Sequence, residues 1–529
     1  MSSAVSSAQV HDPRLAQALA ENAELKAANR AQREQLQSLQ QQLDWFKRQL
    51  FGQRSERRLV EPSPDQLSLA DALGARSQTA EPPTRQTITY TRGKAAKRRP
   101  DEAVNDSGLR YDESVPVERI EHTPAELLGE AADDYEVIGE RVTRRLAQRP
   151  GSYVVLEHVR PVLRRKVSED ELITPPAPAA VLEGTQADVS VLAGLLVDKF
   201  CHHLPLYRQH QRMSQAGITL SRATLTQWVR RSIALLAPIH EAQLRHILRS
   251  RTLAMDETPI RAGRSGKGRM KQAWYWPIYG EADEVSFTYA SSRGRQHVLE
   301  TLHGFQGTLL CDGYSAYAHF AGRTDGVELA QCWAHTRRHF ERARDSDPEA
   351  ADRALELIGT LYRVEAEIRQ RTLDAGQTLA LRTERSLPVV DAFYAWCYEQ
   401  RQRLDLVNSH PLSKALKYAS EREHALRVFL SAPHVAIDTN HLERALRTIP
   451  MGRKNWLFCW TEVGAEQVGI IQSLLTTCRL HDINPYTYLV DVLQRVAIHP
   501  ASEVEQLTPR RWKQLFADKP LRSDLGHAR

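Results

Sequence analysis

Residues 15–50 carry a heptad repeat, which restricts what the start of the chain can form more than any other feature of the sequence. The stretch contains no Gly or Pro and is rich in Gln, Glu, Ala and Lys, which favour helix. Position a holds Leu15, Asn22, Asn29, Leu36, Leu43 and Leu50, and position d holds Ala18, Leu25, Gln32, Leu39 and Phe46. Because buried Asn at position a favours two strands in one register, residues 14–52 are predicted to form a parallel coiled coil, with a single solvated helix as the alternative.

The composition of the chain is that of a folded protein that works outside membranes. Of its 529 residues, 26% are charged and 41% are hydrophobic, so wholesale disorder and a fibrous structure are excluded. No run of about 18 apolar residues is present, and the N-terminus lacks the apolar core of a signal peptide. The six cysteines show no repeating spacing, which argues against a disulfide framework. We therefore expect a cytoplasmic protein of several domains with no membrane partner.

Two regions separate the heptads from the next helical pattern. Residues 53–110 form a Pro-rich linker, and positions 84–100 within it carry six basic residues and no acid. This run is predicted to be either a solvated tail or an arm that contacts phosphates. Residues 111–173 alternate in short apolar pieces and are predicted to form a small β-rich module.

Residues 185–245 are typical of two helices around a bend at Gly217, the pattern of a helix–turn–helix. The second helix presents short polar and cationic side chains that suit a DNA major groove. The candidate DNA contacts are Arg222, Thr224, Gln227 and Arg230. A purely structural corner is the alternative, because such corners also occur in proteins that do not bind DNA.

Three carboxylates stand at the boundaries of apolar segments further along the chain. Asp256 and Asp312 each follow an apolar strand, and Glu443 lies at the start of a predicted helix. Each has an ordinary explanation, since Asp commonly follows a strand in a turn, and Asn440 with Glu443 has the spacing of a capping box. If the strands are neighbours, the three side chains would instead form an all-oxygen site for two magnesium ions.

The residues around these carboxylates complete the prediction. Glu257 is expected to point to the other face of its extended segment, and Asp438 to cap or precede the helix of Glu443. The segment after Glu443 adds cations without acids that suit phosphate contacts, namely Arg444, Arg447, Arg453 and Lys454.

Several longer motifs together resemble one family. They are Asp-Glu-Thr at 256–258, Cys-Asp-Gly-Tyr at 311–314, Cys-Trp-Ala-His at 332–335, Leu-Glu-Arg-Ala-Leu-Arg at 442–447, Gly-Arg-Lys-Asn-Trp-Leu-Phe at 452–458 and Asn-Pro-Tyr-Thr-Tyr-Leu-Val-Asp at 484–491. On these motifs, and over essentially its whole length, the chain resembles the insertion-sequence-sixty-six family of bacterial transposases.

The resemblance implies a DDE transposase, which is a magnesium-dependent polynucleotidyl transferase with a ribonuclease-H-like core. In this sequence the catalytic and metal-binding residues would be Asp256, Asp312 and Glu443. They would hold two magnesium ions, with manganese as a substitute. Cys332 and His335 resemble a Cys-x-x-His pair of several DDE enzymes, and we interpret them as a structural packing pair because two ligands cannot close a zinc site.

The implied architecture is a multi-domain α/β chain. The catalytic core would span 250–455 and contain a helical insertion at about 341–435. A C-terminal transposase segment at 456–500 and a tail at 501–529 would follow it.

One departure concerns a small cysteine-rich zinc module that the family usually carries before the helix–turn–helix. No cysteine occurs before Cys201, and His122 and His158 are the only histidines between 101 and 200. A structural zinc site needs four ligands, so we expect no structural zinc, although the β-rich module at 111–173 remains.

The implied function is to bind the ends of an insertion sequence, cleave DNA there and transfer the freed 3′ hydroxyl to target DNA. The expected partners are double-stranded DNA at the terminal inverted repeats and the target, further copies of the chain, and the small accessory proteins with which this family is typically encoded. The expected location is the bacterial nucleoid. Two alternatives are a catalytically inactive, domesticated DNA-binding regulator and a metal-dependent nuclease that cleaves without joining.

We predict that residues 1–55 form at least a dimer without DNA, because Asn22 and Asn29 can hydrogen-bond to their counterparts only in parallel register. Sedimentation equilibrium at tens of micromolar should give at least twice the monomer mass. A monomer mass under these conditions would contradict the coiled coil.

Overall fold

Twelve strands in three sheets and sixteen α-helices make up the part of the chain that the structure describes. The computed structural model describes residues 109–525, except for 114, 129–131, 150, 167, 267, 457–458 and 460. The predicted coiled coil at 14–52 and almost all of the linker at 53–110 lie outside these residues. No described helix is both long and apolar enough to cross a membrane. The predicted mixed α/β class is confirmed.

Strands dominate up to residue 173 and again from 252 to 331, and helices make up most of the rest. The strands are β1 (Arg110–Tyr111), β2 (Val117–Glu121), β3 (Tyr135–Arg149), β4 (Ser152–Arg165), β5 (Ser168–Ile173), β6 (Ile218–Thr219), β7 (Thr252–Met255), β8 (Thr258–Gly266), β9 (Arg269–Gly280), β10 (Glu284–Ala290), β11 (Gly307–Cys311) and β12 (Val327–Gln331). The helices are α1 (Val189–Phe200), α2 (Leu206–Gln215), α3 (Arg222–Ile247), α4 (Arg295–Thr301), α5 (Ser315–Ala321), α6 (Trp333–Ala343), α7 (Pro348–Gln370), α8 (Ala375–Leu381), α9 (Leu387–Gln400), α10 (Pro411–Ser420), α11 (Glu423–Ser431), α12 (Asn440–Leu446), α13 (Thr448–Trp456), α14 (Glu462–Leu480), α15 (Pro485–Arg495) and α16 (Pro509–Leu515).

A six-stranded sheet forms the centre of the region that carries the strand-end aspartates. Its strands lie in the order β10-β9-β7-β11-β12, and β8 pairs with β9 beside this path. β7, β11 and β12 are parallel, whereas β9 is antiparallel to both β7 and β10. β7 and β11 are buried almost throughout, as expected of parallel strands covered on both faces, and this explains why they are short apolar runs in the sequence.

Helix α14 covers the outer edge of this sheet along β10. The hydroxyl of Ser473 accepts the N–H of Phe287 at 2.8 Å, and the hydroxyl of Thr477 accepts the N–H of Val285 at 3.2 Å. A Cβ atom at Gly469 would stand 2.5 Å from the carbonyl oxygen of Phe287, so only glycine allows the helix to approach this closely. Donors on the edge strand are thereby satisfied, and they are not open to pairing with another strand.

The strands between 110 and 173 include a four-stranded sheet of β2, β3, β4 and β5. The β3–β4 hairpin turns at Gly151, whose φ is +85°. His122 and His158 are in contact in this sheet, because Nε2 of His122 lies 3.1 Å from Nδ1 of His158. The other ring nitrogen of His158 lies 3.7 Å from Asp524. Strand pairing thus joins two histidines that are 36 positions apart in the sequence.

Helices α7 to α11 and a π-helical turn lie within residues 341–435, the segment predicted to be a helical insertion. Arg382 in the π-helical turn is 2% exposed. Its guanidinium donates to the two oxygens of Glu365 at 2.8 and 2.9 Å. It also donates to the carbonyl oxygens of Phe429 and Ala432 at 2.7 and 3.1 Å. These hydrogen bonds join α7, the turn and the end of α11 around the buried guanidinium of Arg382.

We predict that Arg382→Ala lowers the free energy of unfolding by about 3–5 kcal/mol, because it leaves the buried Glu365 carboxylate without a partner. Arg353→Ala breaks an exposed pair with Glu356 on α7, so it should cost less than about 1 kcal/mol. Chemical denaturation followed by circular dichroism measures both values. Equal losses for the two variants would show that burial does not govern the Arg382 pair.

Candidate active site

The parallel strands β7 and β11 bring Asp256 and Asp312 side by side. Leu310 pairs with Ala254 in the register of these strands, so Asp312 is level with Asp256. Oδ1 of Asp256 accepts the N–H of the next residue at 2.7 Å, and Oδ1 of Asp312 accepts the N–H two positions on at 2.9 Å. These are the turn-type hydrogen bonds expected of Asp after a strand, and they leave the second oxygen of each carboxylate for another ligand.

Glu257 lies beside the two aspartates. One carboxylate oxygen from each of Asp256, Glu257 and Asp312 lies within 4.8 Å of the others, and no other group of three or more acids, histidines or cysteines among the described residues comes as close. The prediction that Glu257 points to the other face is therefore wrong. Asp256 and Glu257 occupy a two-residue break between β7 and β8, where strand pairing does not impose alternation.

The carboxylate of Glu257 is already bound by protein donors. Arg293 donates to one oxygen, with its Nε at 2.9 Å, and the hydroxyl of Tyr317 donates to the other at 2.8 Å. The side chain is only 3% exposed. Burial raises the pKa of Glu257, and the hydrogen bonds from these two donors oppose the rise. Glu257 therefore neutralises Arg293 beside the aspartates and has little freedom to bind anything else.

The Asp256 carboxyl is largely buried and has other acids around it. Burial raises its pKa to about 7, and the negative charges of Glu257, Asp312 and Glu443 act in the same direction. Ionising this carboxyl is therefore opposed at neutral pH unless a cation lies nearby. A divalent ion would remove the repulsion, so the charge distribution favours cation binding here.

Glu443 projects from the first turn of α12, close to the cluster. Both of its oxygens accept hydrogen bonds from Arg338 on α6, each at 2.5 Å, and Nε2 of His335 lies 3.8 Å away. The Glu443 side chain is 27% exposed, so it has space to move where Glu257 does not. Its charge is near enough to raise the pKa of Asp256. The structure thus brings the two aspartates together and holds the third predicted ligand nearby on an arginine.

The start of α12 excludes the ordinary explanation of Glu443. Thr439 is the N-cap and Asn440 is the first helical residue, so a capping box of Asn440 with Glu443 does not form. Asp438 accepts the N–H of Asn440 at 3.0 Å and precedes the helix. Helix capping therefore does not explain the glutamate at position 443. Its side chain contacts Arg338 and His335 instead.

Cys332 and His335 lie where α6 meets the start of α12. The buried Sγ of Cys332 accepts the N–H and the hydroxyl of Thr439, both at 3.3 Å. Nε2 of His335 lies 3.2 Å from Nη1 of Arg338. These are packing and hydrogen-bonding contacts, and they fix the helix from which Glu443 projects.

The candidate DNA contacts on α3 lie near its N-terminus. Arg222, Gln227 and Arg230 are exposed, and Thr224 is half-buried beside the N-cap residue Ser221. α3 is 26 residues long and buries ten of its residues between Leu225 and Ile247. The three exposed side chains are accessible to DNA, and Thr224 is accessible only in part.

The predicted phosphate contacts after Glu443 differ in their surroundings. Arg444, Arg447 and Lys454 are exposed. Arg453 is half-buried and donates to the carbonyl oxygen of Pro259, so it ties α13 to β8. The structure therefore leaves three of these four cations open to a phosphate.

Sequence reasoning missed the donors that hold the flanking glutamates. Arg338 follows His335 by three residues on α6, and this helical spacing could have identified it. Arg293 and Tyr317 show no local pattern that points to Glu257, because they reach it from separate elements.

Three family descriptions match the chain. Residues 184–467, more than half of the chain, match "Transposase IS66 family". Residues 473–510 match "IS66 C-terminal element", and residues 38–120 match "Transposase C of IS166 homeodomain". Together these matches extend from the predicted coiled coil to the C-terminal segment.

Similar proteins occur in Sinorhizobium fredii (strain NBRC 101917 / NGR234). The uncharacterized protein y4qI is 30% identical over 525 residues, which cover 95% of this chain and 94% of the relative. The uncharacterized protein y4hP is 30% identical over 511 residues, which cover 91% of this chain and 89% of the relative. Since the family match spans more than half of the chain, this protein belongs to the IS66 family of transposases, as its motifs predicted.

Proposed function

We propose that this transposase cuts DNA at the ends of its insertion sequence and joins the freed 3′ hydroxyl to target DNA. The observation that carries the proposal is the pair of carboxylates, Asp256 and Asp312, at the ends of neighbouring parallel strands. Glu443 lies close enough for its charge to act on Asp256. Membership of a transposase family supports DNA as the substrate class, and we infer that the enzyme works as a dimer or larger assembly on double-stranded ends.

The proposed metal ligands are Asp256, Asp312 and Glu443, and the ions are two magnesium ions, with manganese as a substitute. All donor atoms are carboxylate oxygens, which suit these hard cations better than zinc. When bound, such ions activate the attacking water or hydroxyl and stabilise the leaving oxygen. The protein's own part is to fix the donors, since strand pairing sets the two aspartates and α12 carries the glutamate.

Glu443 reaches the aspartates by leaving Arg338. Both side chains are partly exposed, at 27% and 41%, so the exchange does not uncover a buried charge. Glu257 stays with Arg293 and Tyr317, where it is buried and fully hydrogen-bonded. This difference in mobility is the reason for assigning the third position to Glu443 although Glu257 lies closer.

The strand order supports a ribonuclease-H-like core. β7 lies at the centre, with the antiparallel strands β9 and β10 on one side and the parallel strands β11 and β12 on the other. We assign this core to 250–455, with its helical insertion at 341–435, and the DNA-binding helix–turn–helix to 185–245. The base contacts of the helix–turn–helix would come from the start of α3, and residues after Glu443 would add contacts to phosphates.

We predict that Asp256→Ala, Asp312→Ala and Glu443→Ala each lower strand cleavage on the order of a thousandfold or more. Each variant loses a metal ligand, and several kcal/mol of transition-state stabilisation with it. Binding to element ends should change little, because affinity comes mainly from contacts to phosphates and bases. Cleavage of labelled end DNA with magnesium, beside a gel-shift assay without it, measures both properties.

Glu257→Gln and Asp438→Ala are the matched controls for the third ligand. Glu257→Gln keeps the shape and one acceptor for Arg293, so it should retain most of the cleavage activity. Asp438→Ala removes the hydrogen bonds that Asp438 accepts from the backbone N–H and the side-chain amide of Asn440 at the start of α12. Full activity of Glu443→Ala, together with loss in either control, would show that the third ligand is assigned wrongly.

Asp256→Asn should stabilise the metal-free protein at high pH. Burial raises the pKa of Asp256 to about 7 in the folded state, so the folded state binds this proton more tightly than the unfolded chain. The stability of the wild type therefore falls as the pH rises from about 4 to about 7, whereas Asn does not ionise. We expect the variant to be more stable by about 1 kcal/mol or more at pH 8, since one pKa unit corresponds to about 1.4 kcal/mol.

Thermal unfolding with a chelator, at pH 8 and at pH 4, measures this difference. The gap should close near pH 4, where Asp256 is protonated in both states. Magnesium should raise the melting temperature of the wild type and not that of the variant. A wild type that is the more stable of the two at pH 8 without metal would contradict the prediction.

A further inference from the structure

A groove of about 490 Å³ lies beside the proposed active site. Three arginines from two helical segments line it, Arg444 and Arg447 at α12 and Arg479 at the end of α14. Two histidines, two threonines and Tyr279 also line it, and none of its lining residues is Asp or Glu. The groove is therefore a concave surface with positive charge on more than one side.

In the part of the chain that the structure describes, no carboxylate forms an ion pair with Arg444, Arg447 or Arg479. Nη2 of Arg479 donates a hydrogen bond to the hydroxyl of Thr476 at 3.3 Å. All three side chains are exposed. Three uncompensated guanidinium groups around one hollow attract anions, and the guanidinium fork suits phosphate oxygens.

The groove and the acidic site share one helix. Arg444 follows Glu443 directly, and His441 and Arg444 are on the groove side of α12 while Glu443 contacts Arg338 on α6. A polyanion in the groove would therefore cross α12 within one residue of the third proposed metal ligand. The groove is also lined by His203 from the loop between α1 and α2, in the region of the predicted helix–turn–helix.

We propose that this groove binds the phosphodiester backbone of the DNA that the enzyme cuts, with Arg479 as a contact beyond those predicted from the sequence. The inference rests on the proposed function, since it concerns DNA at the same site. A DNA backbone fits better than a free phosphate ion, because a site for a small anion is enclosed by buried donors and these three arginines are exposed and spread over two helices.

The test is the salt dependence of DNA binding by the full-length protein. Fluorescence anisotropy with a duplex of about 30 base pairs, a chelator and 50 to 200 mM salt gives the affinity and its salt slope without catalysis. Arg479→Ala should lower the slope by about 0.9 and weaken binding about eightfold at 0.1 M salt, because one phosphate contact is lost. Arg479→Lys keeps the charge and should retain the wild-type slope.

Arg363→Ala is the matched control. Arg363 on α7 is exposed and, like Arg479, donates to the hydroxyl of a threonine three residues earlier, at 2.7 Å. It lies outside the groove, so its loss should leave the affinity and the slope unchanged. Thermal melting of all variants verifies that they are folded.

Two results would overturn the inference. One is a wild-type affinity and salt slope in both Arg479→Ala and Arg447→Ala. The other is loss of inorganic phosphate binding in Arg479→Ala, measured by calorimetry, with unchanged duplex binding, since the groove would then be a small-anion site. Because the binding assay contains no divalent metal, its outcome is independent of the cleavage results for Asp256, Asp312 and Glu443, and the two proposals fail separately.

Discussion

The parallel pairing of β7 with β11 is the constraint on which the site depends. It sets two carboxylates at the same height on one sheet edge, at a separation that water-exposed side chains would avoid. Neither aspartate can turn away without breaking the hydrogen bond that holds it at its strand end. Strand pairing therefore keeps two mutually repelling carboxylates close together, and packing around the sheet has to offset their repulsion.

Arginines divide the acids of the site into two kinds. Glu257 and Glu443 each have an arginine partner, Arg293 and Arg338, whereas neither Asp256 nor Asp312 forms an ion pair within the described residues. Unbalanced negative charge is thus confined to the strand ends. Arg444 and Arg447 line the groove on the neighbouring side of α12, so one short helix separates the acidic strand ends from a groove lined by three arginines.

The sequence was sufficient for those parts of the site that local patterns determine. An apolar run that ends in Asp indicates a strand end, which made Asp256 and Asp312 candidates, but their assignment to one site came from the resemblance to the family and not from the local pattern. The direction of the Glu257 side chain could not be predicted, because it depends on the break between β7 and β8. No residue preference in the sequence indicates that break. The pairing of Glu443 with Arg338 spans 105 positions, and only the packing of α6 against α12 brings the two together.

Helix α14 covers β10 but is synthesised much later than the sheet to which β10 belongs. The N–H of Val285 finds its acceptor on Thr477, which is synthesised 192 residues later. At about 5–20 residues per second, a ribosome needs roughly 10–40 s to supply that helix. During this time the sheet that carries both aspartates has an open edge, so the nascent chain is exposed to wrong pairing with other strands. The sheet that carries both aspartates is therefore complete only after α14 has been synthesised, long after its own strands have been made.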